Sequence, residues 1–275
     1  MLLQFVVSGA LVGLIVGATG VGGGSLMTPL LTLVFGVPAQ VAVGTDLLFA
    51  SITKSGGAWT YASYRQVRWP IVFWLALGSV PASCLTLAAL QQWHPDAAQF
   101  NAVLRPILGL ALLLTAGALA FRTQIQALGA RAIASAEPAL VRSANSAYLA
   151  AANPDRSLRP LPTLALGALI GVLVTLTSVG AGAIGVVALF FLYPSLAARQ
   201  IVAADITHAV PLTLIAGLGH AALGTVDWAM LFALLLGSLP AIHLGARLAG
   251  RLPERVLRVF LATILLLIGL RLFWV

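Results

Sequence analysis

Charge is what this sequence has least of. Only 8% of its 275 residues are Asp, Glu, Lys or Arg, against 60% hydrophobic, whereas soluble domains carry about 25% charged residues. A chain so composed cannot hide its apolar surface inside one water-soluble globule, which excludes a soluble fold. Cysteine occurs once, as Cys84, so an intrachain disulfide is excluded and the redox compartment stays unread. The formal net charge of +8 comes from arginines set singly in short loops between apolar runs. That placement suits a protein oriented in a lipid bilayer and argues against a nucleic-acid partner. Chemistry-bearing motifs are missing too. No nucleophile stands beside a base, no Walker glycine-lysine run appears, and Gly22-Gly23-Gly24 lies between apolar helices without the strand that a nucleotide fingerprint needs. His208 and His220 do not have a metal-ligand spacing. Neither an enzyme nor a cofactor is expected.

What the chain does have is long apolar runs. They fall at about 3–18, 24–36, 41–63, 69–90 and 102–121, and again at 162–177, 183–193, 200–223, 228–249 and 256–274. Most approach the roughly 20 residues that cross a 30 Å hydrocarbon core as helix, and none shows the polar alternation of barrel strands. The expected fold is therefore an all-α, polytopic membrane protein. Residues 1–19 lack a basic leader and their apolar run has no cleavage site, so they read as a retained helix rather than a signal peptide. Between the two sets of runs, residues 122–160 hold Arg122, Arg131, Arg142, Arg156 and Arg159 among proline breakers and read as a connecting loop. This divides the chain into a first repeat (1–121), a cytoplasmic loop (122–160) and a second repeat (161–275).

The two sets are copies. Sliding the chain on itself so that Gly9 meets Gly167 brings Gly13, Val16, Thr19, Val21, Gly22 and Gly24 onto identical residues at Gly171, Val174, Thr177, Val179, Gly180 and Gly182. After a one-residue slip, Val43, Asp46, Val67, Trp69, Phe73, Gly78, Ser79 and Pro81 meet Val202, Asp205, Val226, Trp228, Phe232, Gly237, Ser238 and Pro240. Biased composition does not align Gly, Asp, Trp and Pro in register over most of a half. Segments 24–36 and 183–193 are roughly 16 to 20 Å long as helix, too short to span upright. Each is expected to form a hairpin or re-entrant pair with the helix before it, followed by three transmembrane helices. Counting crossings on that basis places Arg65, Arg68, the loop arginines, Arg199, Arg247, Arg251, Arg255 and Arg258 on one face, with only Arg105 and Arg271 on the other. The positive-inside rule makes the first face cytoplasmic and both termini periplasmic. An odd number of crossings per half makes the repeats inverted, as is common in secondary transporters.

Two glycine runs interrupt these helices, at Thr19-Gly20-Val21-Gly22-Gly23-Gly24-Ser25 and Thr177-Ser178-Val179-Gly180-Ala181-Gly182. Glycine costs about 1 kcal/mol relative to alanine inside a helix. Breaks of this kind are tolerated where freed backbone lines a cavity, and the short helix that follows aims its positive end into it. An anion fits that end; the alternative is that the glycines only let helices approach closely. Thr19, Gly22, Gly23, Gly24, Ser25, Thr177, Gly180 and Gly182 are the candidate binding residues. Ionisable residues within apolar runs cost roughly 2.5 kcal/mol or more at the bilayer centre unless paired or wet, which makes each a functional candidate. Lys54, the sole lysine, is expected to add positive charge to the anion site, or else to pair with a carboxylate or snorkel. Asp46 and Asp205 occupy equivalent positions and could instead cap freed amides. Asp205 and His208, one turn apart on a helix face, could pass a proton, or His208 could be a satisfied buried histidine. Trp69 and Trp228 suit an interfacial aromatic belt.

The glycine break before Ser25, Val43-Gly44-Thr45-Asp46, Val67-Arg68-Trp69, Leu173-Val174-Thr175-Leu176-Thr177-Ser178-Val179-Gly180-Ala181-Gly182, Ala204-Asp205-Ile206-Thr207-His208-Ala209-Val210-Pro211 and Gly224-Thr225-Val226-Asp227-Trp228 together resemble the sulfite exporter TauE/SafE family of bacterial membrane permeases. The resemblance covers nearly all of the chain except the central loop. It implies a multi-pass transporter of the inner membrane that moves small anions, sulfite or organosulfonates, by alternating access, with proton coupling an open feature. An uncoupled anion channel and a non-transporting membrane partner subunit remain the alternatives. Substrate, direction, coupling ion and oligomeric state, a homodimer among the options, are not readable here.

Overall fold

A computed structural model describes residues 2–19, 24–93, 97–121, 158–180, 182–194, 196–248 and 254–274. Every apolar run becomes a helix: α1 (Leu2–Thr19), α2 (Gly24–Leu33), α3 (Ala39–Ser63), α4 (Trp69–Trp93), α5 (Ala97–Ala120), α6 (Pro160–Thr177), α7 (Ala183–Leu192), α8 (Ala198–Ala222), α9 (Trp228–Leu248) and α10 (Glu254–Trp274). No strand occurs among the described residues. Five of the helices, α4, α5, α6, α8 and α9, are long and apolar enough to cross a membrane, and the chain is a multi-pass membrane protein. Apolar side chains left on the outside, such as Leu85, Leu169, Phe232 and Leu236, face lipid at no cost, because acyl chains solvate them as well as a protein core does.

The two short helices are ten residues each, about 15 Å of helix and half a bilayer core. Helix α3 is 25 residues long but too polar to count with the five. It takes the centre instead: residues 42–51 are buried without interruption, with α8 against one side. The central loop lies outside the described residues as far as 157, as does the first glycine run at 20–23.

Packing follows the repeat crosswise. Helix α1 lies along α9 and α6 along α4, α3 against α8, and α5 against α10. Gly167 and Gly171 of α6 abut the backbone of Leu75 and Ser79 on α4, and their repeat equivalents Gly9 and Gly13 of α1 abut Leu234 and Ser238 on α9. Gly78 meets Leu164 as Gly237 meets Val6. At all of these positions a Cβ would run into the neighbouring main chain, so the small residue sets the separation of the helices. The aligned prolines take matching places in both halves: Pro81 lies inside α4 and Pro240 inside α9. Trp69 and Trp228 begin α4 and α9 with their rings exposed.

Candidate functional site

The second glycine run does break a helix. Thr177 ends α6, Ser178 follows in the left-handed region at φ 57°, and its N–H donates to the Val174 carbonyl at 2.7 Å. Gly180 and Gly182 then adopt φ of 121° and 130°, values that side-chain-bearing residues rarely tolerate, and α7 starts at Ala183. The glycines are therefore needed for the shape of the break. Thr177 serves the same shape: Val179 N–H donates to its hydroxyl at 3.1 Å, and that hydroxyl donates to the Leu173 carbonyl at 2.7 Å. Of the first run, Thr19 ends α1 while Gly24 and Ser25 begin α2; Gly22 and Gly23 lie outside the described residues.

The ionisable residues converge where α3 meets α8. Asp46 and Asp205 are both buried, and each faces the short helix of its own half. Asp46 Oδ2 accepts a 2.5 Å hydrogen bond from the Thr28 hydroxyl of α2, while Asp205 Oδ1 lies so close to Gly185 of α7 that a Cβ there would collide with it. Neither aspartate caps a helix: α3 starts after Pro38 and α8 after Ala197, without a side-chain cap. Asp46 Oδ1 and both oxygens of Asp205 have no hydrogen-bond partner among the described residues. Ser178 lies beside Asp46, its hydroxyl without a geometric hydrogen-bond partner among the described residues. Thus the α6–α7 break of the second half reaches the aspartate of the first.

Lys54 is buried and lies within electrostatic reach of Asp46, Asp205 and His208. Asp46 and Lys54 stand eight residues apart, about 12 Å along α3, and the charge of Lys54 nevertheless acts on aspartates of both halves. His208 shares a face with Asp205 but turns elsewhere, with Nε2 2.7 Å from Ser79 Oγ on α4 and Nδ1 unpartnered among the described residues. The equivalents of this pair are Phe49 and Ser238, and there the serine hydroxyl has no partner. Position 213, equivalent to Lys54, is a threonine bonded to its own helix. The repeat thus supplies two matched carboxylates but one ammonium and one imidazole.

Three contributors carried no readable signal in the sequence: Thr28, Ser79 and Gly185. A hydroxyl or a glycine on an apolar helix marks nothing until the partner helix is known. His220 is a further buried ionisable residue. Its ring bridges Thr225 Oγ1 at 2.9 Å and the Thr175 carbonyl at 3.0 Å. Residue 179, which would continue the ladder onto that carbonyl, gives its N–H to Thr177 instead, so His220 satisfies an acceptor freed by the break.

A family model described as sulfite exporter TauE/SafE matches residues 5–272. The chain is 33% identical to the probable membrane transporter protein YjnA of Bacillus subtilis (strain 168), over 99% of this chain and 100% of that protein. It is 28% identical to the probable membrane transporter protein YdhB of the same organism, over 90% of each. No solved structure matches the chain.

Proposed function

The chain belongs to the sulfite exporter TauE/SafE family of membrane transporters, and on that premise we propose that it is a secondary transporter of small anions, sulfite or organosulfonates, working by alternating access in the bacterial inner membrane. The observation that carries this reading is Lys54, the sole lysine, buried within electrostatic reach of Asp46 and Asp205 of the two halves, with Ser178 of the α6–α7 break beside Asp46. A buried cation and the positive dipole end of a short helix suit an oxyanion, because both are fixed before it arrives.

In this reading Lys54 and the broken segments bind the substrate: Gly180 and Gly182 with Thr177 in one half, and Thr19, Gly22, Gly23, Gly24 and Ser25 in the other. Asp46 and Asp205 balance the ammonium; Asp205 carries the coupling proton, with His208 one turn along α8 and turned to Ser79. The crosswise helix pairs support two halves related by a two-fold axis, which the placement of the arginines puts in the membrane plane, each half able to rock against the other around the fixed site. The experiment is uptake of labelled sulfite by proteoliposomes holding the purified chain. Wild type moves sulfite and builds a gradient when a pH gradient is imposed, and Lys54→Ala lowers the flux by at least about tenfold, as loss of a charge-assisted contact of 1.5–3 kcal/mol would. Flux unchanged in Lys54→Ala removes the lysine from the site, and flux that never builds a gradient makes the protein an anion channel.

A further inference from the structure

We infer that the Asp205 carboxylate is a resident occupant of the anion site, displaced when a substrate monoanion enters together with one proton. This rests on the reading of the site as anion-binding and adds what the anion must bring with it. Asp205 is 1% exposed, and neither oxygen has a hydrogen-bond partner among the described residues. Its Oδ1 lies against Gly185, the third residue of α7, a helix of ten residues. The nearby amides of Gly185 and Val186 are committed to the carbonyls of Gly180 and Gly182. A carboxylate therefore sits beside the first turn of α7 where the helix dipole favours negative charge, held there without a single donor. Glycine at 185 is what makes the room.

The charges around it are few. Helix α3 brings Asp46 and Lys54. His208, on α8 itself, turns to Ser79, and His220 is committed to Thr175 and Thr225 further along the helix. Among the described residues α4, α6 and α7 place no titratable side chain there. Two carboxylates against one ammonium leave a negative charge in excess, and an anion arriving alone would double it in a water-poor site. One proton removes the conflict. Asp46 keeps its charge with the hydrogen bond from Thr28, whereas Asp205 has no such donor and takes the proton. The new carboxyl O–H then donates to an oxygen of the anion, which occupies the end of α7 opposite Lys54. The proton, drawn from solution on the entry side, leaves with the anion on the other side, and no bond within the substrate changes. A dianion with one proton would double the excess all the same, so the site selects monoanions.

The test uses methanesulfonate, a monoanion across the working pH range, with the full chain purified in detergent. Calorimetric titration near pH 8 in two buffers of different protonation enthalpy is expected to show about one proton taken up per methanesulfonate bound, with sulfate at least about tenfold weaker. In proteoliposomes, wild-type flux falls about tenfold per pH unit once the carboxyl is ionised, and Asp205→Asn loses both the proton uptake and that slope. Methanesulfonate bound by wild type without proton uptake overturns the inference, whatever the folding of the variant. So does an Asp205→Asn protein that still takes up the proton. If wild type neither binds nor carries methanesulfonate or sulfite, the anion reading itself falls, a result distinct from binding without a proton.

Discussion

At the scale of single residues, the two aspartates show how equal positions acquire unequal roles. Asp46 is fastened to α2 by Thr28, and Asp205 is left against Gly185 with no donor. A hydrogen bond to a charged, buried acceptor is worth about 1.5–3 kcal/mol, and losing it strands the carboxylate. Thr28→Val, which keeps the shape and removes the donor, is expected to destabilise the protein by about 2 kcal/mol. Thermal unfolding in detergent checks this; an unchanged midpoint would mean that the bond contributes nothing. The ionisable members of the site were legible in the sequence because a charge within an apolar run stands out against its cost. Thr28, Ser79 and Gly185 were not, since their meaning lies in a neighbour from another helix. Lys54 shows the limit from the other side. Spacing along α3 separated it from Asp46, but its charge reaches both aspartates because α8 lies against α3, a contact that no periodicity along one helix reports.

At the scale of elements, the seams between α4 and α6 and between α1 and α9 position the site. Ser79, the partner of His208, lies on α4 where the backbone of Gly171 presses against it. Widening that seam moves the serine away from the imidazole. Overpacking a tight contact costs typically 1–3 kcal/mol. Gly171→Ala is expected to cost about 2 kcal/mol and to disturb transport as well, whereas Gly13→Ala, its equivalent against Ser238, costs a similar amount but spares transport more, because Ser238 has no partner to lose. Unfolding midpoints and sulfite flux of the two variants compare them directly; equal losses of flux at equal stability would deny the seam this positioning role. The ten helices among the described residues were legible to within a few residues, since hydropathy alone delimits a helix that lipid surrounds. The helix pairing was not, although the repeated glycines at Gly9, Gly13, Gly167 and Gly171 were its trace in the sequence.

For the whole molecule, the question is whether the halves are inverted. Crosswise contacts such as Gly9 with Leu234 and Gly167 with Leu75 fit a two-fold relation of the halves, whose axis would lie either along the membrane normal or in the membrane plane. The arginines favour the second. Arg65 and Arg68 follow α3, whereas the loop after α8, residues 223–227, holds Asp227 and no basic residue. Under the positive-inside rule these two equivalent loops belong on opposite sides. Ser63 and Ala222 end α3 and α8 at matching positions, and both are exposed. With Cys84, the sole native cysteine, replaced by alanine, Ala222→Cys is expected to react with a membrane-impermeant maleimide in intact spheroplasts, and Ser63→Cys only after permeabilisation. Labelling of both from the same side would place the axis along the membrane normal. The two short helices would then enter the bilayer from one face, where they could not approach Lys54 from opposite sides, and a site shared between the halves would lose its geometric basis.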